Sequence, residues 1–308
     1  MALFRGVPRS RFPRYLAILG LLVATVGAGI VAARLLSAGL SAPTTRPDQG
    51  GGRPPRAAAP PAVVWAVGDG PDGDPEPNAV AKLIASRRVD RLLYLGDVYD
   101  EGTKREYNEH YAPAYGKLDS VTSPTPGNHE WDERDEGYDA YWKKRGLDTE
   151  PHYYSFELAG WQLLSLNSEG DLSPDGDQVR WLRDQVSAEG TCRIAFWHRP
   201  RYSAGDNHGD DEELAPLWDS LVGRASIVLT AHDHNMQRLE PRDGMTAFVS
   251  GAGGASHYPI KPDYDGVAFS NDTDDGALRL LLRPGSASFA FIATDGRTLD
   301  SGTIPCRR

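Results

Sequence analysis

The chain has 308 residues, a formal net charge of −10 and 40% apolar residues. That length and apolar content sustain one large domain or two small ones and exclude wholesale disorder. The acidic balance argues against a general nucleic-acid or anionic-membrane binder, and two cysteines exclude a disulfide scaffold or an all-cysteine zinc site.

The charge is unevenly spread. Residues 1–61 hold eight arginines, no lysine and one acid, Asp48, for a sum of +7; residues 62–308 hold 25 basic and 42 acidic residues, for −17. Arg5, Arg9, Arg11 and Arg14 form a basic start over 1–14, followed by the uncharged run Tyr15–Ala33. This run of 19 residues stands between the roughly 7–15 of a signal-peptide core and the roughly 20 of a membrane span. Residues 15–40 therefore read as a transmembrane signal anchor or a cleaved signal peptide. An anchor would hold the N-terminus inside and the rest outside the cytoplasm, and cleavage would give a secreted protein. Residues 41–61, with six prolines and a glycine triplet, read as a linker, which leaves 62–308 as the folded domain.

Within that domain short strands and helices alternate. Strand patterns cover Ala62–Val67, Leu92–Leu95 and Val121–Thr125, with helical patterns over Asn78–Arg87, Thr103–Tyr111 and Tyr138–Arg145. Tyr153–Leu158 and Trp161–Asn167 flank Ala159-Gly160 as a hairpin. Helices follow over Gln178–Ser187 and Leu214–Leu221, and strands over Ile194–Trp197, Ile227–Thr230, Thr246–Ser250, Leu278–Leu282, Ser288–Ala293 and Thr298–Ile304. Cys192 precedes a strand and Cys306 is two residues from the end; they are either bridged or two unrelated buried thiols, and an exported domain favours the bridge.

Five times an apolar strand ends and a ligand-type residue follows: Asp69, Asp97, Asn128, His198, and His232 with His234. In α/β sheets, ligands gather beyond the carboxyl ends of strands, so these residues can meet in one crevice. Each signal alone is weak: Gly-Asp is commonly a turn, Asn128 can cap a helix, and His-x-His can be incidental. Together they supply hard carboxylates, an amide oxygen and imidazoles without thiolate, which suits two ions such as Fe, Zn or Mn some 3.5–4 Å apart. Gly251–Gly254 lacks the third glycine of a dinucleotide fingerprint and reads as a tight turn lining the cleft. Arg199 either contacts a phosphate oxygen or forms a surface ion pair.

The series GDG (68–70), GDVY (96–99), GNHE (127–130), WHRP (197–200) and AHDH (231–234) resembles the calcineurin-like metallophosphoesterase superfamily, nearest its purple acid phosphatase-like and bacterial secreted members. The resemblance covers about 62–306. It implies an α/β (α+β) fold, a four-layer αββα sandwich of two mixed β-sheets flanked by helices. It implies two metal ions: Asp69 and His234 on the first, Asp97 bridging, and Asn128, His198 and His232 on the second. His129 would sit beside the reacting phosphate, oriented by Glu130 or a nearby acid, and His208 would face the phosphate or leaving group. The implied activity is extracytoplasmic hydrolysis of phosphate esters, monoesters favoured, by a hydroxide that two metals activate. A phosphodiesterase of the same fold and a non-catalytic metal-containing ectodomain are the alternatives.

Three departures from the family pattern stand out. Gly70 and Pro71 follow Asp69 where D-x-H is common, Tyr99 falls one residue before the usual iron-binding tyrosine with Asp100 in its place, and Ala231 replaces a glycine. The first two leave the fourth protein ligand of the first metal open; the third is expected to tighten a turn.

Overall fold

A computed structural model describes residues 59–70, 72 and 79–307. The basic start, the 15–40 segment and nearly all of the linker lie outside the described residues. Among the described residues, no helix is long and apolar enough to cross a membrane.

Among the described residues thirteen strands run in chain order: β1 Ala62–Val67, β2 Arg91–Tyr94, β3 Thr122–Pro124, β4 Tyr154–Leu158, β5 Trp161–Ser165, β6 Cys192–Phe196, β7 Ile227–Thr230, β8 Met236–Leu239, β9 Thr246–Ser250, β10 Val267–Asn271, β11 Gly276–Arg283, β12 Ser286–Ala293 and β13 Thr298–Pro305. They form two sheets, ordered β13-β12-β11-β1-β2-β3 and β10-β8-β9-β7-β6-β5-β4. Both are mixed. β1–β2–β3 and β5–β6–β7–β9 are parallel, and antiparallel strands flank each set.

The layers follow from the period-2 alternation of buried strands. Val64 and Ala66 of β1 meet Leu163, Ile194, Phe196 and Leu229 between the two sheets. Val63, Trp65 and Val67 point the other way, onto the helix Ala79–Ala85 and a group of tyrosines. On the second sheet, Leu164, Ala195, Trp197 and Val228 face the helices Asp177–Gln185 and Ala215–Leu221. The result is the expected helix–sheet–sheet–helix sandwich.

Element boundaries moved by one to three residues in most places. The Thr103–Tyr111 helix continues to Val121 through α, π and 3₁₀ turns, opened by a Thr103–Glu106 capping box. Two strands had no reading in the sequence. β8 (MQRL) carries a buried Gln237 where an apolar residue would signal a strand, and β10 lies at the sheet edge, half-exposed. Cys192 and Cys306 form a disulfide, which ties β6 of one sheet to the end of β13 of the other.

Candidate metal centre

The loops after β1, β2, β3, β6 and β7 converge at one edge of the sandwich, and they bring all six expected ligands together. The backbone there is unusual: Asp69, Asp97 and His232 all have positive φ, at 55°, 67° and 69°. Non-glycine residues hold that conformation only where their surroundings enforce it. Here the enforcement is close packing of backbone. A side chain on Gly127 would collide with the Asp97 carboxylate, and one on Gly251 or Gly253 with the Asp69 loop. The 251–254 turn thus lines the site, as its sequence suggested.

Two donor sets form around Asp97. On one side the Tyr99 phenol oxygen lies 3.0 Å from Asp69 Oδ1, 3.1 Å from Asp97 Oδ2 and 2.7 Å from His234 Nε2. On the other, His198 Nε2 lies 3.3 Å from Asp97 Oδ2 and 3.1 Å from both Asn128 Oδ1 and His232 Nδ1. Asp97 Oδ2 belongs to both sets. Carbonyl acceptors turn the rings: His198 Nδ1 lies 2.8 Å from Leu95 O, and His234 Nδ1 lies 2.7 Å from Ser256 O. Donation there aims each Nε2 at the centre, its lone pair available to a cation once the ring is neutral.

The donor set fits two cations. Carboxylates, an amide oxygen, imidazoles and a phenol, with no thiolate, suit Fe, Zn or Mn. Asp69, Asp97 and His198 are fully buried. Burial pushes the Asp69 carboxyl well up. Burial would raise Asp97 too, but the charge and hydrogen bond of His198 outweigh it and hold Asp97 below the carboxylate range. Burial likewise disfavours charge on His198, and Asp97 overrides it to give about 10. Burial lowers His232 far below its ordinary value and His234 to about 4. Burial, then the Asp69 and Asp97 charges, keep the Tyr99 phenol protonated. Cations among these groups would reverse each bias against the ligand form.

Two of the three departures have a physical reading. A side chain at Gly70 would strike the Tyr94 hydroxyl, and Pro71, at the histidine position of D-x-H, lies outside the described residues. Tyr99 enters the first set from its early position, whereas the Asp100 side chain is exposed. Ala231 does not tighten the turn: the positive φ falls on His232, and Gly68 gives room to the Ala231 methyl.

One orientation reading needs correction. Glu130 does not orient His129. Its Oε2 accepts the backbone N–H of Asp97 at 3.1 Å and of Gly127 at 2.9 Å, clamping two ligand loops together. His129 Nδ1 instead meets the Asp100 carbonyl, and its Nε2 lies 3.8 Å from Asp97 Oδ2 at the mouth. Arg199 pairs with Glu169 at 3.0 Å, which favours the ion-pair reading. His208 does reach the site, stacked on His232 with centroids 3.8 Å apart. Tyr258 had no reading in the sequence. It stacks on His234 at 3.8 Å and touches His208 edge-on. Beside Asn128 and His129, a cavity of about 280 Å³ is rimmed by Asp100, Glu101, Asp132 and Glu133. Such a mouth repels phosphate unless cations lie within it.

The sequence model of the calcineurin-like phosphoesterase family matches residues 61–236. Purple acid phosphatase 22 of Arabidopsis thaliana is 26% identical over 189 residues, which cover 53% of this chain and 42% of that protein. The chain therefore spans less than half of that relative. Among solved structures, a purple acid phosphatase from yellow lupin (Lupinus luteus) seeds superposes with a TM-score of 0.69 at 17% identity, covering 80% of this chain and 54% of that one. GAP50, the anchor in the inner membrane complex of Plasmodium, gives a TM-score of 0.66 at 16% identity, covering 80% and 90%. The structural likenesses carry the fold, and the match over more than half of the sequence places the chain in the calcineurin-like phosphoesterase family.

Proposed function

We propose that this chain hydrolyses phosphate esters, monoesters favoured, at a two-cation centre. The observation that carries the reading is the pair of donor sets sharing Asp97 Oδ2. Asp69, Tyr99 and His234 would hold one cation, Asn128, His198 and His232 the other, and Asp97 both. When bound, the cations supply the charge that activates water and neutralises the phosphate oxygens. His129 and His208 stand at the mouth, where a phosphate or its leaving group would lie. Retention of all six candidate ligands and of His129 speaks for turnover over a binding-only ectodomain.

The proposed location is extracytoplasmic. The arginine-led apolar segment over 15–40 and the disulfide between Cys192 and Cys306 support it. The activity is tested on a chromogenic phosphate monoester with metal added. Asn128→Ala and His198→Ala are expected to abolish turnover with the fold intact by circular dichroism. Near-normal rates in either variant would overturn the assignment.

A further inference from the structure

The middle residue of His232-Asp233-His234 is fully buried, yet its carboxylate bonds the loop 203–209 and not the ligand cluster. Asp233 Oδ2 accepts the Ser203 hydroxyl, and at 3.3 Å the backbone N–H of Gly209. Ser203 Oγ in turn accepts the Gly205 N–H at 3.0 Å and Gln237 Nε2 at 2.9 Å. Gln237 Oε1 accepts the Ala204 N–H at 2.8 Å, so the strand residue that broke the β8 pattern is spent on this loop. Gly205 packs so closely that a Cβ there would lie 2.1 Å from the carboxylate.

The loop 203–209 is therefore fastened at both ends to one buried carboxylate, and His208 is the residue next to the second fastening. Its ring is exposed, stacks on His232 with centroids 3.8 Å apart, and has Tyr258 edge-on at 5.5 Å. Among the described residues, no side-chain hydrogen bond to its ring nitrogens is found. An imidazole held over a ligand histidine by stacking, with its nitrogens uncommitted, is placed to hydrogen-bond a bound substrate.

We infer that Asp233 is a positioning residue: through Ser203 and the Gly209 N–H it fixes His208 over His232, where His208 hydrogen-bonds the leaving-group oxygen of the ester. The inference rests on the phosphoesterase reading for its kinetic part only. Such a bond matters most when the leaving oxygen is a poor one, an alkoxide rather than a nitrophenolate.

The test uses the full chain loaded with zinc and compares Asp233→Ala, the acceptor-retaining Asp233→Asn, His208→Ala and the double variant Asp233→Ala/His208→Ala. For Asp233→Ala, kcat should fall at least about 10-fold on glycerol phosphate, the range of lost outer partners, and clearly less on p-nitrophenyl phosphate. Metal content should be unchanged, and Asp233→Asn should recover most of the loss. The double variant should be no worse than His208→Ala. Equal losses on both esters, or losses that multiply in the double variant, would overturn the inference. Proton NMR of the His208 ring gives a readout without turnover. The ring-current shift from stacking on His232 should disappear in Asp233→Ala and persist in Asp233→Asn, and an unchanged shift in Asp233→Ala would overturn the placement. If the wild-type chain hydrolyses neither ester, the phosphoesterase reading fails, while the NMR comparison still decides whether Asp233 places His208.

Discussion

The Tyr99 phenol oxygen stands 2.7 Å from His234 Nε2, although 135 positions separate the two residues. The phenol also lies within 3.1 Å of both site carboxylates. A cation between them would meet a phenolate, two carboxylates and an imidazole. The chain loaded with Fe(III) is expected to show a visible absorption band that Tyr99→Phe lacks and Asp100→Asn keeps. A band that survives Tyr99→Phe would remove the phenol from the ligand set.

Metal binding should expel protons. Asp97 holds His198 protonated up to about pH 10, and a ligand imidazole must be neutral. Cation affinity is therefore expected to rise with pH across the neutral range. Calorimetric titrations in two buffers of different ionisation enthalpy should differ by the heat of the released proton; identical heats would argue against it.

Glu130 gives a stability signature in the metal-free chain. Burial raises its carboxyl from 4.5 to about 8, with the nearby Asp97 charge adding to the effect. Between those pH values the folded state keeps a proton that the unfolded state has lost. The contribution is thus full below about 4.5 and declines as pH rises towards 8. Denaturant melts at pH 5 and 8 should show a smaller decline for Glu130→Gln than for wild type. Equal declines would refute the buried, protonated clamp.

The disulfide closes a sequence separation of 114 residues between the two sheets. Chain entropy assigns such a loop about 4–5 kcal/mol. Replacing both cysteines by serine should lower the melting temperature markedly, and an unchanged melting curve would show that the cross-link is idle.

The candidate ligands were legible in the sequence because each lies within four residues of the end of a parallel strand, and parallel strands deliver their ends to one edge. The αββα order came from the family resemblance; the strands support it, since β1 is apolar on both faces and β6 and β7 are so except at Arg193 and Thr230. What escaped depends on contacts between distant loops. Nothing local to Glu130 says that it caps Asp97 and Gly127 rather than touching His129. Tyr258 lies in a loop after β9 with no motif around it, and its stacking on His234 exists only once the chain has folded. Gln237 hid β8 because it serves the His208 loop instead of a core. The signal that could have pointed to Tyr99 was the GDVY string itself, had the register of the phenol been judged by reach instead of position.

The central claim is that turnover depends on two cations held around Asp97. Its most direct measurement is metal content against turnover of a phosphate monoester, followed through chelation and stepwise metal return. Activity is expected to vanish on chelation and to return fully as metal content approaches two ions per chain, with no recovery in Asn128→Ala. Undiminished turnover in protein stripped of metal, or full activity at one ion per chain, would contradict the account.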